Sequence, residues 1–117
     1  MLAKQNRIVH NKAIKSTINS KFRIKTKYFT VITKKNIESS SFKLLVIISK
    51  KISKRANIRN KIRRRIQAIF ENYKSQNLLR QEYNVAIQII NPEIINLTFL
   101  ELENIINQSS KIFLVSN

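Results

Sequence analysis

Ten lysines and arginines lie between Lys43 and Arg65 with no acid among them, and the same stretch carries a regular apolar stripe. Ile58, Ile62, Ile66, Ile69, Phe70 and Tyr73 recur at steps of three and four, the period of a helix that buries one side. At about 100° per residue, Asn60, Arg63, Arg64 and Gln67 gather on the opposite side, Arg59 and Arg65 flank the stripe, and Lys61 lies further round. One face suits a core and the other suits an anion. Cations this close repel one another, so the helix gains stability when a polyanion screens it. A phosphate backbone fits that need.

The charge is as uneven as it is large. The chain has 117 residues and a formal net charge of +17. Residues 1–65 hold 20 of the 23 Lys and Arg and one acid, Glu38, whereas residues 66–117 hold three bases and five acids. Such a balance points to nucleic acid or an acidic surface, met by the first half. There is no cysteine, hence no disulfide framework, thiolate nucleophile or zinc site of the usual kind. There is also no aspartate, and the single histidine, His10, sits in a polar segment. Paired carboxylates for acid-base or two-metal chemistry are not visible, so neither catalytic nor metal-ligating residues are expected. The longest apolar run, Leu44 to Ile48, is far too short for a bilayer, and the first residues lack the apolar core of a signal peptide. No membrane partner is expected.

The length suits a single domain, 1–117, with residues 1–10 as a basic arm and 111–117 as a tail. Asn11 caps a predicted short helix in which Ala13, Ile14, Thr17 and Ile18 share a face. From Phe22 to Ile32 apolar residues interleaved with Lys and Thr predict strand, followed by a polar loop over Lys35 to Ser41. Phe42 to Ser49 is apolar almost throughout and reads as a central strand buried on both faces. After a loop, the basic helix starts near Ala56 or Asn57, and Asn72 to Gln81 forms its frayed end and a turn. Tyr83 to Ile90 is a strand stopped by Asn91-Pro92. Thr98, with Glu101 at capping-box spacing, opens a last helix with Phe99, Leu102, Ile105 and Ile106 on its core face. The order is helix, two or three strands, helix, strand, helix. It predicts an α/β (α+β) two-layer sandwich, with helices packed on one sheet. Glycine is absent, so Asn and Ser must serve in left-handed turns.

Ser49-Lys50-Lys51, a short basic spacer, and Arg59-Asn60-Lys61-Ile62-Arg63-Arg64 resemble the signature of the protein subunit of bacterial-type ribonuclease P. Three further segments resemble that family: Leu2 to Ile8 its opening, Tyr83 to Ile90 its Tyr-Asp-hydrophobic strand, and Leu97-Thr98-Phe99 with Glu101-Leu102 its last helix. The resemblance implies a left-handed strand-helix-strand crossover. It also implies a protein that binds a catalytic RNA and the 5′ leader of precursor tRNA, assisting endonucleolytic removal of the leader. The RNA would hold the catalytic centre and most of the Mg2+, with one protein per RNA. Carried over by position, the RNA-binding set is Lys50, Lys51, Arg59, Asn60, Lys61, Arg63 and Arg64, to which the spacer adds Lys54 and Arg55. Leader-cleft candidates are Ile14, Ile18 and Ile32, aliphatic where the family often has aromatics, with Tyr28 or Phe29 as compensating rings. Lys61 keeps a charge without a bidentate fork, and Gln67 stands where a further Arg is usual. The alternative class is a structural RNA-binding protein such as a small ribosomal protein. A helix-in-groove DNA binder is disfavoured because the basic helix follows a strand. The spacer and the AT-rich composition suit a bacterial cytoplasm or a plastid stroma, the plastid slightly favoured.

Overall fold

The computed structural model describes residues 17–35, 41–111, 113 and 114. The predicted arm at 1–10 and most of the first predicted helix, including Ile14, lie outside the described residues. Four strands form one sheet: β1 (Phe22–Lys25), β2 (Phe29–Lys35), β3 (Lys43–Ile47) and β4 (Tyr83–Ile89), in the order β1-β2-β4-β3. β1 with β2 and β2 with β4 are antiparallel, and β3 with β4 is parallel. A parallel pair requires a crossover, supplied here by helix α1 (Ala56–Ser75). A 3-10 helix (Pro92–Asn96) and α2 (Phe99–Ser109) complete the mixed α+β architecture.

Alternation along the strands sorts the side chains onto two faces. Phe29 opposite Ile89, Val31–Ile87–Val46, and Thr33–Val85–Leu44 form rows on the face beneath the helices. There they meet Ile62, Ile66, Ile69, Phe70 and Tyr73 of α1 and Leu102 and Ile106 of α2 in one apolar cluster. Each large side chain buried there contributes roughly 1.5–3 kcal/mol. Phe70 stacks near Phe42 and Phe113, with centroids 5.7 and 5.8 Å away.

Local chemistry sets the ends of the helices. Thr98 and Glu101 exchange hydrogen bonds of 2.9 and 3.1 Å in the expected capping box. Asn91 accepts from the Glu93 backbone N–H at 2.9 Å, and Pro92 fills the first position of the 3-10 helix, where no N–H is needed. Asn77, at φ 55°, takes the left-handed turn after α1 in a chain without glycine.

Two expectations are corrected. Phe42 to Ser49 is not a central strand: among the described residues β3 is an edge of the sheet, paired only with β4. Its continuous apolar run arises because Leu45 and Ile47 are half-buried on the second face. The basic helix does not fray at Asn72 but runs to Ser75, held by Tyr73, which is buried and donates its hydroxyl to Asn107 Oδ1 of α2. Of the described residues after α2, Phe113 is fully buried in the core and Leu114 bridges to Leu79.

Candidate nucleic-acid interface

Ile52 packs against the core and its backbone N–H donates to Ser49 O at 3.1 Å, closing a turn that leaves Lys50 and Lys51 exposed at the end of β3. Arg55 occupies the N-cap of α1 without a side-chain capping bond, and the first turn contains no acid. Unpaired N–H groups and a positive dipole end therefore coincide with Lys54 and Arg55, both exposed. Such a terminus favours anions.

Further along α1, Asn60, Lys61 and Arg64 are exposed, while Arg59 and Arg63 are half-buried. The buried stripe at Ile62, Ile66 and Ile69 fixes this orientation. Arg63 Nη1 donates to Asn60 Oδ1 at 3.1 Å, so Asn60 positions a guanidinium instead of capping the helix. Arg59 Nη1 donates to Ser53 O at 2.8 Å, tying the spacer to the helix. Arg65 Nη1 donates to Leu97 O at 3.0 Å, tying α1 to the segment before α2. Lys50, Lys51, Lys54, Arg55, Lys61 and Arg64 form no salt bridge with any other described residue. The structure thus brings the predicted basic set together on one spacer and one helix face, and uses Arg59 and Arg65 partly as struts.

The leader-cleft candidates separate. Phe29 is fully buried among the core residues beneath the helices and has no free ring face to offer. Ile32 is also fully buried, on the opposite face of the sheet. Ile18 is half-buried, and its carbonyl accepts from Arg23 Nη2. Tyr28, in the β1–β2 turn built on Thr26 Oγ1, is half-buried with Lys27 Nζ 5.4 Å from its ring centroid.

Sequence reasoning did not separate out the second face of the sheet. There Arg23 and Lys25 on β1 share a side with Lys34 on β2 and Lys43 on β3, in rows with Ile32, Thr30 and Asn84. The signal was the alternation Phe22-Arg23-Ile24-Lys25, whose polar phase collects on one face. Asn84, between Lys34 and Lys43, is 3% exposed, and its Oδ1 accepts no hydrogen bond from any described residue. Tyr73 is not a reactive phenol: burial, then Glu103, pushes its pKa up. Among the described residues no three His, Cys, Asp or Glu side chains gather to hold a metal ion, and no helix is long and apolar enough to cross a membrane.

These features define a small, strongly basic α+β protein whose cations concentrate on one spacer, one helix face and one sheet face. The family model described as Ribonuclease P matches residues 2–113, and the chain belongs to that family, the protein component of a ribonucleoprotein enzyme. Its fold is similar to that of a Staphylococcus aureus RNase P protein mutant with defective mRNA degradation activity, with TM-score 0.80 and 27% identity over 93% of this chain and 88% of that one. It is also similar to an S. aureus RNase P protein solved at 2.0 Å, with TM-score 0.78 and 26% identity over 92% and 94%. The RNase P protein from Thermotoga maritima shares the fold, with TM-score 0.73 and 16% identity over 95% and 98%. No curated protein matches the chain in sequence.

Proposed function

We propose that this chain is the protein subunit that binds the catalytic RNA of ribonuclease P and the 5′ leader of precursor tRNA, assisting endonucleolytic removal of the leader. One observation carries the proposal: Lys50, Lys51, Lys54, Arg55, Lys61 and Arg64 stand without acidic partners among the described residues, on a helix and spacer fixed by a buried stripe. Arg59, Asn60 and Arg63 complete the surface, and their intramolecular bonds hold its shape. Preorganised cations lower the ordering cost of an RNA contact. They also offset repulsion between ribozyme and substrate phosphates, which tightens the ground-state complex more than it changes the transition state.

The leader runs along the second sheet face, past Ile18 and Tyr28. Cleavage chemistry belongs to the RNA in this reading. Mg2+ is held mainly there as well, because the basic face offers no carboxylate to ligate it. One protein serves one RNA, in a bacterial cytoplasm or a plastid stroma. The test is 5′ maturation of precursor tRNA by the cognate RNA at physiological Mg2+, with and without the purified chain. Stimulation is expected. No stimulation at any protein-to-RNA ratio, or cosedimentation with ribosomal subunits in place of the ribozyme, overturns the reading.

A further inference from the structure

Rings and cations also meet at a corner of the sheet on the core-side face, away from the face assigned to the leader. Phe22 is the most exposed large apolar residue described, at 68%, and stands on β1, an edge strand. The register sets Phe22 opposite Thr33 and, one step along, Lys35 opposite Tyr83, so all four side chains project to one side. They line a cavity of about 200 Å³. A more open hollow, to which Lys21 and Ser20 contribute, adjoins it through Phe22 and Lys35. The smaller cavity lies below the roughly 300–1,000 Å³ of drug-sized sites, so it suits a single planar ring system.

Thr33, 3% exposed, forms the floor, and the aromatic residues form the walls. β1 and β4 stand two strand spacings apart, about 9–10 Å, and Tyr83 lies two residues along from the Phe22 row, so the two positions are roughly 12 Å apart. That separation brings a flat ring seated between them within the roughly 4.5–7 Å centroid range of offset stacking on either wall. Lys21 and Lys35 are exposed at the rim, and among the described residues no acid lines either hollow. Aromatic walls with a cationic rim are the means by which proteins hold unpaired nucleotides, and they disfavour a basic or purely apolar partner.

We propose that this corner is a second RNA contact that takes one unpaired nucleotide, its base between Phe22 and Tyr83 over Thr33 and its phosphate against Lys35 and Lys21. It is independent of α1.

The chain has no tryptophan, so Phe22→Trp installs a unique fluorophore at an exposed position. Titration of that variant with a short single-stranded oligoadenylate quenches the introduced indole, whereas inorganic phosphate and polyglutamate do not. Phe22→Ala lowers oligoadenylate affinity by about 5- to 150-fold, the usual worth of one stacked base, in both the wild-type and the Lys61→Gln, Arg64→Gln backgrounds. Its urea midpoint stays at the parent value. The proposal is overturned if oligoadenylate binds by anisotropy without quenching and with unchanged Phe22→Ala affinity, or if it does not bind at all. Quenching by polyglutamate alone also overturns it and makes the corner a protein-docking site.

Discussion

Lys61 and Arg64 provide the cleanest test of the charged helix, because both are exposed and neither forms a salt bridge within the described residues. They lie three apart on α1, so they repel one another in the free protein. Replacing both in Lys61→Gln, Arg64→Gln relieves that repulsion, about 0.2–0.5 kcal/mol, and leaves the fold intact. If each neutralises one phosphate, the slope of log affinity against log salt becomes shallower by about 1.4 on single-stranded RNA to 1.8 on duplex. At about 0.15 M salt this corresponds to a loss of roughly 15- to 30-fold, shrinking towards nothing near 1 M. The assay is filter binding or anisotropy with the cognate ribozyme across a salt series, alongside a melting curve. An unchanged slope with an unchanged melting temperature refutes the assignment of these side chains to RNA. A collapsed melting temperature refutes the claim that they are free of the fold.

Phe113→Ala removes a fully buried ring that contacts Phe42 and Phe70, and should cost about 3–5 kcal/mol in urea unfolding; a loss below about 1 kcal/mol would contradict the burial of that ring. Thr98→Ala removes the α2 cap and should destabilise by about 0.5–2 kcal/mol in the same assay. The capping box also makes a pH prediction. The Thr98 backbone N–H, then its side chain, hold the Glu101 carboxyl below the usual carboxylate range. Its stabilising effect is therefore present above the unfolded value, about 4.3, and is lost as pH falls through the lower folded value. An NMR titration of Glu101 should show the depressed midpoint in the parent chain and only a partial rise in Thr98→Ala, which keeps the backbone N–H; a parent midpoint in the ordinary carboxylate range would contradict the structure.

Helix α1 and its charged face were legible because six apolar residues hold one phase over sixteen positions, from Ile58 to Tyr73, and the cations between them had nowhere else to go. The cap at Thr98 was legible because a two-residue contact at fixed spacing is local chemistry. What failed was non-local. A continuous apolar run in Leu44 to Ile48 reports contact on both faces, and says nothing of how many strands lie beside it. Tyr28 and Phe29 are adjacent aromatics in opposite phases, and only the register fixed by the Thr26 turn sends Phe29 inward. Phe113 is a lone ring in a short segment, with no period to declare it buried. Arg59 and Arg64 are the same residue type within two turns of one helix. One is bonded to Ser53 O and the other is exposed, with no bond from its side chain to another described residue, a distinction set by the path of the spacer.

The ring that closes the aromatic cluster is translated long after the helix it supports. Phe42 and Phe70 leave the ribosome first, and Phe113 follows some forty residues later, about 2–9 s at ordinary elongation rates of 5–20 residues per second. During that interval a nascent chain displays its polycation on an unfinished scaffold. Its charged face is then on display before the last wedge that braces the helix beneath it is home.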